Sequence, residues 1–411
     1  MHPVYTLGVY FVWFLSTFFL VTLILFMVEN RNRLYENKGP LKKEPFVSVI
    51  VPAYNEERKI ADTIDSLKKN TYKAIEFIVV NDGSRDGTSE VTRKAIGDDP
   101  RFRFIDRKHN VGKAASLNEG IANAKGEFIA CMDADSVIEE DIFQKALPYF
   151  EEEKVGAVTV TVELRNPKNI LHKVIDIEYI IGLSLFLKIF SLQDCVFVTP
   201  GPFSIFRHTM LKEINGFDPK NITEDHEIAY RIHKAGYKIE NCSEAKVFTI
   251  CPETFREIYI QRRRWYSGAL LTLFQHKDVL FNKKLGLFGL FTPFNYLLVS
   301  LGLIIFYTSS YLGLSNMIEN ILYYQYTNFN FFEHLFEWHF DILTFGGTHF
   351  IGFCATFFTF LLMFMGLKLA RKKYSDKKMG MVWFPMMFLL YQIFWTGAII
   401  AVLKGRQIKW R

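Results

Sequence analysis

Four long apolar segments constrain this chain more than any other feature of its sequence. They cover residues 4–28, 285–314, 343–367 and 379–403, and none contains Asp, Glu, Lys or Arg. Each is long enough for a helix to cross the hydrocarbon core of a bilayer, which takes about 20 residues. A buried core helix could explain one of them, but four in one chain predict a membrane protein. The first has no basic start and no small-residue cleavage site, so we expect a retained anchor.

The charges beside these segments predict their orientation. Basic residues at 31–43 follow the first segment, so the middle of the chain is expected in the cytoplasm. Residues 315–342 hold no Lys or Arg and are expected outside, whereas residues 371–378 are strongly basic and are expected inside. Four complete crossings would leave the basic tail outside. Either the tail breaks the rule or one segment does not cross, and Pro293 or Pro385 could interrupt a segment.

Composition agrees with a membrane protein and excludes some other classes. Half of the residues are hydrophobic, including 41 Phe, which exceeds the usual share in soluble proteins. The net charge of +6 is modest, and the basic residues lie beside apolar segments, so a lipid surface is favoured over nucleic acid. The five cysteines form no CxxC pair, which indicates neither a disulfide framework nor a zinc site and favours a reducing cytosol.

The sequence divides into three predicted parts: an anchor with a basic linker (1–43), a cytoplasmic domain (44–283) and a C-terminal membrane region with about three spans (284–411). In the middle part, strands are predicted at 47–52, 75–80, 102–105 and 127–132, with helices at 59–69 and 113–124 between them. This alternation predicts a parallel sheet covered by helices on both faces. Sheets of this kind bind ligands beyond the carboxyl ends of their strands.

Three of the predicted strands end in acidic residues. Glu56 follows the first strand, Asp82 the second, and Asp133 with Asp135 the fourth. Carboxylates two residues apart can share one hard divalent cation, although an isolated Asp-x-Asp is as typical of a solvated turn. Because the strand ends of a parallel sheet meet at one edge, these acids predict a common site.

Five short motifs occur in a fixed order along the chain. They are Tyr54-Asn55-Glu56, Asn81-Asp82-Gly83-Ser84, Asp133-Ala134-Asp135, Thr223-Glu224-Asp225 and Gln261-Arg262-Arg263-Arg264-Trp265. Over residues 45–275 the set resembles the membrane-embedded processive synthases of glycosyltransferase family 2, which make cellulose, chitin, hyaluronan and poly-N-acetylglucosamine. The resemblance implies an α/β fold of the GT-A type, a Rossmann-like nucleotide-diphospho-sugar transferase domain inserted between transmembrane helices. It also implies a UDP-sugar donor and Mg²⁺ or Mn²⁺.

The resemblance also implies how the donor is held. Tyr54, Glu56 and Asp82 would bind uridine, Asp133 the ribose or the metal, and Asp135 the metal. Arg264 would contact the diphosphate. Lys113 is predicted to begin a helix, where its charge opposes the helix dipole, so it needs another partner, for which the nucleotide or the diphosphate is the candidate. The competing interpretations are a buried strand-end aromatic for Tyr54 and an exposed lysine for Lys113.

The remaining motifs imply an acceptor site and a base. Asp225, with Glu224 beside it, matches the family's general base, at the start of a helix predicted over 223–236; acids in a first turn would equally complement the helix dipole. Trp265 and Gln261 would face the acceptor, as would the turn at Gly201 and Pro202, whose form varies among relatives. Arg262 and Arg263 are interpreted as surface residues. Residues 170–190 and 253–274 are predicted to form interfacial helices or ordinary helices covering the core.

Three functions remain open on the sequence. The favoured one is processive, inverting synthesis of a β-linked polysaccharide from UDP-GlcNAc at the plasma membrane, with the catalytic domain in the cytoplasm and export through the chain's own spans. The alternative is transfer of one sugar to a lipid or polyprenyl-phosphate acceptor. An inactive membrane scaffold or transporter subunit is disfavoured because every motif keeps its acid. The small number of spans leaves room for an accessory subunit.

Overall fold

A computed structural model describes residues 3–327 and 347–405. The chain divides into two compact units. One comprises Met1–Glu29 and Pro293–Leu362, and the other comprises Asn30–Thr292 and Met363–Arg411. The predicted cytoplasmic domain therefore lies within the second unit, which also takes in the last helices of the chain.

Fifteen α-helices and eight strands are present in the described residues. The helices are α1 Pro3–Glu29, α2 Arg31–Leu34, α3 Ile60–Lys68, α4 Thr88–Ile96, α5 Lys113–Asn123, α6 Ile142–Ala146, α7 Ile170–Tyr179, α8 Leu187–Leu192, α9 His208–Glu213, α10 Glu224–Lys234, α11 Phe255–Gln275, α12 Gly286–Thr327, α13 Gly347–Leu369, α14 Tyr374–Trp383 and α15 Met386–Leu403. The strands are β1 Val47–Ala53, β2 Ile75–Asn81, β3 Phe102–Asp106, β4 Phe128–Cys131, β5 Val137–Ile138, β6 Val155–Leu164, β7 Ser204–Arg207 and β8 Lys238–Thr249. A π-helical segment, Ile180–Phe186, joins α7 to α8.

The eight strands form one mixed sheet in the order β3-β2-β1-β4-β7-β6-β8-β5. The four predicted strands are parallel, as expected. Beyond β4 the prediction of a parallel sheet is wrong, because β7 runs antiparallel to both β4 and β6. The first residue of β7, Ser204, pairs with the last residue of β4, Cys131, so the chain enters β7 at the carboxyl end of β4 and runs back.

The core of the second unit lies on both faces of this sheet. Every residue of β1 is buried, which agrees with a sequence that is rich in β-branched residues and does not alternate with charged ones. Helix α5 packs tightly over β1, since a Cβ on Gly120 would lie 2.3 Å from a methyl of Ile50. The 170–190 stretch is mostly buried as α7 and the π-helical segment, which matches the core-covering interpretation.

Three helices in the described residues are long and apolar enough to cross a membrane: Thr6–Glu29, Lys283–Tyr323 and Met386–Leu403. A shorter apolar helical stretch, Thr356–Leu369, belongs to α13. The predicted segment 343–367 begins outside the described residues. Residues 328–342 of the predicted outer loop 315–342 also lie outside them. The predicted start of that loop at residue 315 is wrong, because α12 continues through Pro293 to Thr327.

The last apolar segment is interrupted. Helix α14 ends at Trp383 and α15 begins at Met386, so Pro385 shortens the predicted span 379–403 to 18 residues. The basic segment before it is bound to carboxylates of the sheet and of α7. The pairs are Arg371 with Glu244, Lys372 with Glu163, and Lys377 with Asp176.

Candidate active site

One cavity of about 910 Å³ opens beyond the carboxyl ends of β1 and β4. Its walls contain every predicted site residue except Asp82. These are Tyr54, Glu56, Lys113, Asp133, Asp135, Gly201, Pro202, Glu224, Asp225, Gln261, Arg264 and Trp265. Residues separated by more than 200 positions therefore share one cleft. The parallel strands bring the first five to this edge, and β7, α10 and α11 contribute the others.

Hydrogen bonds connect the first motif to the second motif and to the residue that follows it. Asn55 adopts a left-handed backbone conformation with φ of 55°, which asparagine tolerates better than most residues. Its backbone N–H donates to Ser84 Oγ at 3.0 Å, and its side-chain oxygen accepts from the N–H of Arg85 at 2.9 Å. This pairing holds Tyr54 and Glu56 at the mouth of the cavity.

Asp82 does not line the cavity. It is only 3% exposed, and its carboxylate accepts from the backbone N–H groups of Val111 at 3.0 Å and Gly112 at 2.8 Å. Arg107 also donates to it at 3.1 Å. In this structure Asp82 thus holds the loop that leads into α5, and contact with uridine stays a prediction.

Lys113 is the buried centre of the charges in the cavity. Its ammonium lies 2.6 Å from Asp133 Oδ1 and 2.7 Å from Glu224 Oε1. Burial would lower the pKa of Lys113, but these carboxylates and Asp225 raise it above its usual value, so the side chain stays charged. The partner that the helix dipole requires is therefore a pair of acids from β4 and α10. Lys113 links the Asp133-Ala134-Asp135 and Thr223-Glu224-Asp225 motifs.

Gly201 makes this arrangement sterically feasible. A Cβ at this position would lie 2.9 Å from Lys113 Nζ and 3.0 Å from Asp133 Oδ2. The predicted acceptor-facing turn thus also packs directly on the lysine and carboxylate of the predicted donor side.

Asp225 lies in the first turn of α10, which ends at Lys234, two residues before the predicted stop at Gly236, a glycine with φ of 83°. Burial and the charge of Glu224 raise the pKa of Asp225 to about 6, against the opposing charges of Lys113 and Arg264. Its backbone carbonyl accepts from both the N–H and the hydroxyl of Thr199, at 2.9 and 3.0 Å. The carboxyl group is thereby held in the cavity with the proton affinity expected of a base that works near neutral pH.

Helix α11 supplies the fifth motif and corrects one expectation. Gln261, Arg264 and Trp265 face the cavity, as does Arg263. Arg262 is not a surface residue, because it is only 1% exposed and bonds Glu178 at 2.6 Å. A charge can be buried in this way only when a partner neutralises it, and that partner lies 84 residues away in the sequence.

Comparisons with known proteins identify the family of part of this chain. Residues 48–215 match the family model described as glycosyl transferase family 2. This chain contains a family 2 glycosyltransferase domain. Poly-beta-1,6-N-acetyl-D-glucosamine synthase of Staphylococcus epidermidis is 32% identical over 260 residues, and that of Staphylococcus aureus (strain COL) is 31% identical. In both cases the match covers 62% of this chain and 63% of the relative, a little under two thirds of its length.

A solved structure supports the fold. The mannosyltransferase PcManGT of Pyrobaculum calidifontis, solved with GDP-Man and Mn²⁺, matches 97% of this chain and 100% of its own at a TM-score of 0.60 and 17% identity. The family 2 domain therefore has the GT-A fold.

The family 2 domain offers oxygen ligands for a metal ion but no complete cage. Among residues 3–327 and 347–405, no group of three or more His, Cys, Asp or Glu side chains is placed to hold a metal. Burial and the neighbouring charge of Asp133 raise the pKa of Asp135 to about 6, partly offset by Lys59. Two carboxylates that repel each other at the cavity wall fit a hard cation whose other ligands are phosphate oxygens and water.

Some residues that line the cavity belong to no recognisable motif. Lys59 lies 3.2 Å from Glu56 and 3.8 Å from Asp135, yet the sequence marks it only as the start of a helix. Tyr179, at the end of α7, and Lys404, just after α15, also line the cavity. Their positions depend on how distant helices pack, so no local pattern could have identified them.

Proposed function

We propose that this protein is an inverting glycosyltransferase that moves N-acetylglucosamine from UDP-GlcNAc to the end of a growing β-linked polysaccharide. The observation that carries the proposal is the single cavity in which Asp225 lies with Lys113, Asp133, Arg264 and Trp265. The names of the two staphylococcal relatives supply the sugar and the polymer.

The chemistry follows from the charges around Asp225. Its carboxylate takes the proton of the acceptor hydroxyl as that oxygen attacks the anomeric carbon of the donor. The bond from this carbon to the diphosphate breaks on the opposite face, UDP leaves with the electron pair, and the configuration inverts. The cations of Lys113 and Arg264 stabilise the charge that develops on the diphosphate. Trp265 presents an aromatic ring to the terminal sugar of the acceptor, with Gln261, Gly201 and Pro202 beside it.

Asp133 and Asp135 are the residues that would hold a divalent cation. When bound there, Mg²⁺ or Mn²⁺ would neutralise the phosphates of the donor and assist departure of UDP. Lys113 would then share Asp133 with the metal, while Lys59 remains within reach of Asp135.

We place the catalytic domain on the cytoplasmic side of a multi-pass membrane protein. The basic segment after α13, expected inside by its charge, pairs with domain carboxylates such as Glu163 at 2.6 Å, so the segment and the domain share one side. Membrane lipid is therefore a direct partner of this protein, and an accessory subunit is compatible with the proposal.

The test is a donor screen with the full-length protein purified in lipid nanodiscs, with Mg²⁺ or Mn²⁺ present. We expect UDP release from UDP-GlcNAc and products many sugars long on radiolabelled donor. Asp225→Asn should stop transfer while UDP-GlcNAc still binds. Transfer of exactly one sugar to a lipid would replace polymerisation by the single-transfer alternative. Undiminished UDP release by Asp225→Asn in the presence of acceptor would contradict the assigned base.

A further inference from the structure

The ring of Trp265 is in contact with Arg262, a buried arginine that has no role in the proposed reaction. The guanidinium of Arg262 lies 4.1 Å from the centre of the Trp265 ring and 5.8 Å from that of Tyr179. Both rings line the cavity, whereas Arg262 is only 1% exposed. One cation therefore contacts two aromatic walls of the site from the protein side.

A chain of polar contacts continues from Arg262 into two other helices. Arg262 donates to Glu178 Oε2 at 2.6 Å, and the hydroxyl of Tyr391 donates to Glu178 Oε1 at 3.0 Å. Trp265 and Arg262 belong to α11, Glu178 to α7 and Tyr391 to α15. Both carboxylate oxygens of Glu178 are thereby engaged by neighbouring helices.

Helix α15 contacts α11 at further points beside this chain. The rings of Tyr266 and Trp395 stack at 4.4 Å with an angle of 2° between their planes. Gly397 approaches so closely that a Cβ there would lie 2.4 Å from the hydroxyl of Tyr259. Helix α15 therefore packs closely against α11. From α15, the hydroxyl of Tyr391 reaches Glu178 of α7.

These contacts indicate that Arg262 orients the Trp265 ring rather than simply stabilising the fold. An arginine that is paired in plane by a carboxylate and stacked on a ring loses its freedom to rotate, and lysine cannot reproduce that arrangement. A ring that stacks on a sugar must be held at the right angle, since small displacements of a positioning group are costly.

We propose that Arg262, Glu178 and Tyr391 are positioning residues that set the orientation of the Trp265 ring and so make α15 part of the acceptor site. The inference rests on the proposed function, because it assumes that Trp265 receives the acceptor. It adds Glu178 and Tyr391, which lie outside the motifs, and predicts that a change in α15 alters acceptor use and spares donor binding.

The test compares Tyr391→Phe and Arg262→Lys with the wild type in nanodiscs, using a GlcNAc oligosaccharide as acceptor. In Tyr391→Phe the acceptor KM should rise about 2- to 12-fold, the factor that corresponds to one hydrogen bond of about 0.5–1.5 kcal/mol. Arg262→Lys should raise it at least as much. The KM for UDP-GlcNAc should change less than about twofold in both variants, within the scatter expected of a remote site.

Tyr72→Phe is the matched control, because Tyr72 is a buried tyrosine of the same unit whose hydroxyl donates to the carbonyl of Pro45 at 2.6 Å, and it does not line the cavity. It should leave both KM values unchanged. A double-mutant cycle of Glu178→Gln and Tyr391→Phe should be non-additive in acceptor KM, because both changes alter the same contact between the Tyr391 hydroxyl and the Glu178 side chain.

Equal rises in donor and acceptor KM would reduce the polar chain to a general stabilising contact and overturn the inference. So would an unchanged acceptor KM in Tyr391→Phe, the variant that preserves the ring and the packing. If the wild type elongates the acceptor and the variants match it, only this inference fails. A wild type that releases no UDP from UDP-GlcNAc overturns the proposed function and the inference with it.

Discussion

The carboxyl group of Asp225 shows how individual side chains in this cavity are tuned by their neighbours. Burial and Glu224 raise its pKa, while Lys113 and Arg264 act in the opposite direction. The outcome is a group that is charged at neutral pH yet binds a proton far more readily than an exposed aspartate.

A pH profile tests this tuning. A base must be deprotonated to act, and the pKa of Asp225 is raised to about 6, so kcat/KM should fall tenfold per pH unit below about pH 6. Asp135 has a pKa raised to a similar value, but saturating Mg²⁺ would displace its proton and move its effect to lower pH. The fall should therefore persist at saturating Mg²⁺. A fall that disappears at high Mg²⁺ would assign it to Asp135 and contradict the prediction for Asp225.

The space around Gly201 gives a second test at the scale of one residue. In Gly201→Ala the new methyl would collide with Lys113 Nζ at 2.9 Å and Asp133 Oδ2 at 3.0 Å. We expect the ion pair to shift and UDP release to fall at least about tenfold, since the displaced groups are the charged partners at the centre of the cavity. Thermal unfolding should change little. Gly182→Ala is the control, because nothing lies within 4 Å of its added Cβ. It should release UDP at the wild-type rate, and a loss of rate as large as that of Gly201→Ala would refute the steric explanation.

At the scale of elements, the packing of α11 against α10 determines whether Asp225, the proposed base, and the Trp265 motif meet. Gly268, three residues after Trp265, faces Thr223 at the start of α10, and a Cβ there would lie 2.2 Å from Thr223 Oγ1. The glycine permits the two helices to come together beside Glu224 and Asp225.

Gly268→Ala should therefore force α11 away from the start of α10. We expect a loss of about 1–3 kcal/mol in unfolding free energy from overpacking. UDP release should drop as well, because Asp225 lies two residues after Thr223, the residue that the added methyl would displace. Thermal unfolding and UDP release measure the two effects. Gly302→Ala in α12, with open space around the new Cβ, should show neither; a Gly268→Ala protein as active and as stable as wild type would contradict the close packing.

At the scale of the whole molecule, α15 bears on the membrane topology. Tyr391 near its start bonds Glu178, and Ile400, Ala401 and Lys404 at its end line the catalytic cavity. Both ends of this apolar helix thus contact the catalytic unit. Three crossings followed by a helix that returns to the domain would place the basic tail inside, in agreement with the charge rule.

We predict that the C-terminus lies on the same side of the membrane as the catalytic domain. A fluorescent protein that matures only in the cytoplasm, fused after Arg411, should fluoresce, and alkaline phosphatase fused at the same point should be inactive. A fusion within the basic segment after α13 is the positive control. The reverse pattern at the C-terminus would mean that α15 crosses the bilayer completely.

Much of the site was predictable because its residues follow strands. Glu56, Asp133 and Asp135 come directly after buried apolar runs, and parallel strands must deliver such residues to one edge. The antiparallel β7 was not predictable, because a four-residue strand has no periodic pattern that specifies its direction. The role of Asp82 in holding the loop before α5 was also hidden, since two of its partners are backbone N–H groups and the third, Arg107, lies 25 positions away.

The amino-acid sequence by itself determined the apolar helices, the four parallel strands and the order of the acidic motifs, because these depend on local periodicity and on the residues at strand ends. Only the tertiary structure decided that Arg262 is buried, that Lys113 joins two motifs and that α15 reaches the cavity. Each of these depends on contacts between distant residues, as with Tyr391 and Glu178, which are 213 positions apart. A buried charge needs a partner that folding brings to it, and no local pattern names that partner.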